Sequence, residues 1–129
     1  MSIIDPNDFN LPALANPEVY PDGTVCDVTC RSVYEYNSHA IVVRLVSTDN
    51  PNVAEFPYWL NVPNPDDGTD TYEKDRNFMK NFLLAWGFPL DMPFNTNDID
   101  GRTATAKLGI KEAVGNKPAV NKIRYWISE

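Results

Sequence analysis

Five stretches of this chain alternate apolar and polar residues with a period of two, and only one stretch repeats its apolar residues at helical spacing. Most of the fold must therefore be sheet. Residues 23–36 place Cys26, Val28 and Cys30 on one face and Asp27, Thr29 and Arg31 on the other. Asn37-Ser38 reads as a tight turn, and residues 39–47 follow with Ile41, Val43 and Leu45 inward and Arg44 outward. In residues 54–62, Tyr58, Leu60 and Val62 share a face, with Trp59 on the opposite one. Residues 101–112 alternate Ala104, Ala106, Leu108 and Ile110 with Thr103, Thr105, Lys107 and Lys111. In residues 119–127 strict alternation predicts Ile123, Tyr125 and Ile127 inward, with Lys122, Arg124 and Trp126 outward.

The helical stretch covers residues 70–86, after a breaker segment at 63–68. Thr69 or Asp70 can cap it, Asp70, Glu73 and Asp75 suit its positive end, and Gly87 suits the position just past its C-terminus. Phe78, Phe82 and Trp86 recur at i, i+4 and i+8, with Met79 and Leu83 beside them, which predicts a core-facing stripe. Residues 88–99 read as an irregular connection, and residues 1–22, with Pro6, Pro12, Pro17 and Pro21, as an extended arm pinned by Phe9 and Leu11. The expected organisation is thus an arm (1–22) and one mostly β domain (23–129) in the order β-β-β-α-β-β. That is the order of the five-stranded OB-fold, a partly open barrel with a helix at one end. The first strand is long enough to bend and serve both halves of such a barrel, with Gly23 near its start.

The bulk properties exclude several classes. No run approaches the ~18 apolar residues of a membrane-crossing helix, and the N-terminal residues combine no basic start with an apolar run, so the chain reads as cytoplasmic. Cys26 and Cys30 lie four apart in one strand, about 13 Å, too far for a disulfide. They read as small core groups. With His39 the only histidine and no further cysteines, no metal site or cofactor is expected. No phosphate loop, nucleophile elbow or zinc-protease motif is present, and Asp66, Asp67 and Asp70 are explained by a loop leading into a helix, so no enzyme is expected.

The net charge of −7 at first opposes a nucleic-acid partner. Its distribution does not. Residues 101–129 carry Arg102, Lys107, Lys111, Lys117, Lys122 and Arg124 against only Glu112 and Glu129, whereas the preceding residues are strongly acidic.

Three segments then carry a resemblance: Phe82-Leu83-Leu84-Ala85-Trp86-Gly87, Gly101-Arg102-Thr103-Ala104-Thr105-Ala106-Lys107, and Asn121-Lys122-Ile123-Arg124-Tyr125-Trp126. With the elements in this order, the chain resembles phage-encoded OB-fold single-stranded DNA-binding proteins of the replication and recombination accessory type. The resemblance implies sequence-tolerant binding of single-stranded DNA, with RNA not distinguished from it, in the cytoplasm of an infected bacterial host. It also implies phage or host replication and recombination proteins as partners. Exposed strand edges leave room for a homodimer. Many such proteins end in an acidic recruiting tail, whereas these residues run to Ser128-Glu129 directly after the last strand.

Single strands are held by cations along the backbone and aromatic rings under the bases. The candidate binding residues are Tyr34, Tyr36 and His39 around the first turn, Arg44 and Trp59 on the second and third strands, and Lys107, Lys111, Lys117, Lys122, Arg124 and Trp126 toward the C-terminus. Plainer readings stand beside them: the tryptophans covered by the arm, the tyrosines as strand formers, each cation as a solvated charge. The competing function is a protein-interaction or virion structural module, its acidic bulk docking on the basic strip of the next copy.

Overall fold

The computed structural model describes residues 2–9 and 18–128. Among these, five antiparallel strands form one sheet in the order β3-β2-β1-β4-β5: β1 (Val25–Asn37), β2 (Ala40–Ser47), β3 (Phe56–Asn61), β4 (Thr103–Lys111) and β5 (Val120–Ile127). The single α-helix among the described residues, α1 (Thr69–Trp86), lies between β3 and β4 in sequence. Short 3-10 turns at Pro65–Asp67 and Thr96–Ile99 flank it. The helix is not long and apolar enough to cross a membrane.

β1 is the shared strand. Val25 to Thr29 pair with β4, and Val28 to Asn37 pair with β2. Its register slips between Cys30 and Ser32, leaving Arg31 as an extra residue. Such an insertion bends a strand and sharpens its twist, so the turn from one pairing partner to the other is made there. Gly23, with φ 88°, lies outside the strand and serves the turn leading into it.

The core fills one side of the sheet. Val28, Cys30, Ile41, Val43, Leu45, Phe56, Leu60, Ala104, Ala106 and Leu108 are buried against Phe82, Leu83 and Trp86 of α1. Both cysteines are free, Cys30 buried and Cys26 half-buried against the core. Burial pushes the Cys30 thiol up to about 11 and raises that of Cys26 as well.

The helix stripe is narrower than its spacing suggests. Phe82 and Trp86 are buried, but Phe78 is 48% exposed. Nor does Thr69 or Asp70 cap the helix: Thr69 is already helical, and the cap position is Gly68, with no side-chain hydrogen bond. At the other end Gly87 adopts φ 80°, the left-handed region that glycine enters at little cost. Its N–H and that of Phe88 donate to the carbonyls of Leu84 and Leu83, closing the last turn.

The segment before β1 is tied down by polar contacts. Asn121, buried in β5, accepts the Tyr20 N–H at 2.9 Å and donates to the Tyr20 and Gly109 carbonyls, each at 3.0 Å. The Tyr20 hydroxyl meets Ser47 Oγ at 2.8 Å. The pinning assigned to Leu11 and to the Phe9 ring falls outside the described residues and side chains.

Two outcomes are expected. Asn121→Leu strips three hydrogen bonds from a buried site and should lower the unfolding free energy by about 2–3 kcal/mol in urea titrations. Native protein at about pH 8 should react slowly with a thiol reagent at both cysteines, because the thiolate is the nucleophile and both thiols ionise above their ordinary range. Full reactivity should appear on unfolding.

Candidate nucleic-acid interface

On the outward face of β1, β2 and β3, ladder register sets Tyr34 opposite Val42 and Val42 opposite Trp59. Val42 is fully buried although it belongs to this outer face, while Tyr34 and Trp59 on either side are 49% and 50% exposed. Tyr36 stands edge-on to Trp59, ring centroids 4.8 Å apart at 71°. The result is an aromatic patch on a floor of buried valine. An edge-to-face pair of this kind holds both rings in place with modest gain, and much of each ring's surface stays open to solvent.

One step along, Arg44 lies in register with Ser32 and Pro57, and its guanidinium meets Glu55 at 3.2 Å. Partly exposed pairs of this sort contribute little and exchange partners readily. His39 occupies the turn between β1 and β2, exposed, its backbone N–H bonded to Asn37 Oδ1 at 2.7 Å.

The basic residues gather on the outer face of β4 and β5. Ladder pairing places Gly109 opposite Lys122 and Lys107 opposite Tyr125. Gly109 has no side chain because two long basic ones lie across it: a Cβ there would sit 2.9 Å from Arg124 Cγ and 3.2 Å from Lys122 Cε. Lys107 Nζ lies 5.5 Å from the centre of the Tyr125 ring. Arg124 has Asp22 at 3.5 Å. Among the described residues Lys107, Lys111, Lys117 and Lys122 have no carboxylate within 4.0 Å. Lys111 ends β4, and Lys117 lies in the exposed hairpin that follows, where Val114 and Lys117 exchange backbone hydrogen bonds of 2.9 and 3.1 Å.

Trp126 requires correction. It packs inward, with ring centroids 5.1 Å from Tyr58, 5.6 Å from Phe82 and 5.3 Å from Trp86. Its indole Nε1 is buried. The cause is a register slip in β5: Lys107 pairs with Tyr125 but Leu108 pairs with Ile123, so Arg124 is an extra residue there. Past that insertion the alternation reverses. Trp126 turns to the core, Tyr125 turns out at 53% exposure, and Ile127 pairs with Thr105.

The remaining candidates fall into two groups. The aromatic group, with Arg44 and His39, lies toward the C-terminal end of β1; the basic group lies beside its start, where Val25 pairs with Lys107. Along β1, Val25 and Tyr34 are about 30 Å apart. The other way round is across the seam between β3 and β5, the two edges of the sheet, which make contact without a shared ladder. Tyr58 and Phe78 stand at this seam. They line one cleft of about 190 Å³ with Trp59, Leu60 and Asn61, and a second of about 300 Å³ with Asn81, Ile123, Arg124, Tyr125 and Trp126. Sequence reasoning missed Phe78 and Tyr125 as surface residues. Helical spacing alone assigned Phe78 to the core, and no local residue type announces the insertion at Arg124.

The inside and outside assignments make a direct prediction. Trp126→Ala should lower stability by about 3 kcal/mol or more, as removal of a packed ring does, whereas Trp59→Ala should cost under ~1 kcal/mol. Urea denaturation of the two variants checks both. No protein-family model matches this chain, and no curated protein matches it.

Proposed function

We propose that this chain is an OB-fold protein that binds single-stranded DNA without sequence preference and carries out no covalent chemistry. The observation that carries the reading is the presence of two groups on the outer side of the sheet, half-exposed rings at Tyr34, Tyr36 and Trp59 toward one end and a lysine cluster free of carboxylates around Gly109 toward the other. Rings supply stacking surface to any base, and unneutralised cations supply phosphate contacts at every linkage. The strand order with its interposed helix, the shared first strand and the approach of β3 to β5 support the barrel assignment. The acidic remainder of the surface would repel a polyanion elsewhere and so confine it to this strip.

The wider reading, a phage accessory protein of DNA replication or recombination acting in the infected host's cytoplasm, rests on the three sequence segments that carry the resemblance. Partner proteins and a homodimer through the open β3 or β5 edge belong to the same reading.

Titrating oligo-dT while following tryptophan emission tests the binding. Trp59 is half-exposed and Trp86 is enclosed, so Trp59→Phe should remove the larger part of the quenching, the remainder coming from Trp126 at the second cleft. Affinity should fall steeply with salt, because each phosphate contact releases counterions. Lys122→Glu with Arg124→Glu should weaken binding at least tenfold at low salt and flatten the salt dependence, with the unfolding midpoint nearly unchanged. Absence of any salt-sensitive binding would instead favour the interaction-module reading.

A further inference from the structure

We infer that the bound strand crosses the seam between β3 and β5, and that Phe78 of α1 stacks a base there between Trp59 and Tyr125. This rests on the single-strand-binding reading above and extends it to a helix residue. Phe78 shares its stripe with Phe82 and Trp86, yet those are 0% and 3% exposed and Phe78 is 48% exposed. The ring is uncovered because it reaches the mouth of the seam, where no strand continues the sheet. There it forms a wall of both clefts, one opening toward Trp59 and the other toward Arg124 and Tyr125.

Three half-exposed rings, Trp59, Phe78 and Tyr125, thus follow one another around the open side, each contributed by a different element: β3, α1 and β5. Cations accompany them. Lys74 Nζ stands 5.9 Å from the Phe78 ring centre, Arg124 lines the second cleft, and Lys107 lies over Tyr125 at 5.5 Å. A nucleobase is a flat partner for such a ring, and the flanking phosphates lie within reach of side chains as long as lysine and arginine. The alternative path along β1 would have to span about 30 Å between the aromatic and basic groups. Across the seam, each platform is followed by the next.

The test compares Phe78→Ala, Phe78→Leu and Phe78→Tyr with the parent and with Trp59→Ala, using fluorescence anisotropy of labelled oligo-dT about 16 nucleotides long. Loss of one stacking platform should weaken binding about five- to hundredfold. Phe78→Ala and Phe78→Leu should both show it, and Phe78→Tyr should stay within about twofold of the parent. Phe78→Leu retains apolar bulk and guards against a mere folding defect. If Phe78→Leu binds like the parent while Trp59→Ala is weakened, the seam path is wrong and the single-strand reading survives. If the parent itself shows no affinity for oligo-dT, both fall together.

Discussion

The two edges of the sheet are joined by aromatic rings, not by backbone hydrogen bonds. Phe82 reaches up from α1 and packs parallel to Tyr58 of β3 at 5.8 Å and edge-on to Trp126 of β5 at 5.6 Å. Trp86, one turn further along the helix, packs on both Phe82 and Trp126. Everything else about the open side follows from this cluster. It sets how near β3 and β5 come, it holds the helix across the gap, and it forces Phe78 outward at the gap's mouth. A ladder would have fixed the same spacing more rigidly but would have sealed the clefts. Burial within this cluster also raises the Tyr58 hydroxyl above its ordinary range, so the ring stays neutral there.

Charge is arranged to the same end. An overall acidic chain keeps a basic strip by placing two side chains flat over a glycine and leaving the neighbouring lysines without carboxylates. Of the cations with carboxylate partners, Arg44 with Glu55 and Arg76 with Glu73 lie on other elements, and Arg124 with Asp22 lies within the strip.

Much of the fold was legible in the sequence because the alternation is a local consequence of burial. Ile41, Val43 and Leu45 in β2 and Ala104, Ala106 and Leu108 in β4 point inward as their spacing requires. Gly87 ends the helix as expected, since only its backbone conformation matters there. What the sequence hid was long-range pairing. The slips at Arg31 and Arg124 arise from how one strand lies against its neighbour, and no window within a single strand contains that information. Trp126 was misplaced for this reason alone. Phe78 was misplaced for a related one: a helix stripe shows which face turns to the core, not where the core stops. Of the candidate site, the residues before the Arg124 insertion kept their outward faces, and the interior one lies beyond it.

The extra residue at Arg124 has a further consequence for how this chain can vary. With Arg124 present, every side chain from Tyr125 onward takes its side of the sheet from the insertion that absorbs it. Deleting Arg124 itself would remove the insertion, set Tyr125 next to Ile123 in unbroken alternation and leave Trp126 in the ring cluster that joins the sheet edges. The ladder thus absorbs a single extra residue in β5, and the exposed tip beyond Lys111 can likewise change length one residue at a time.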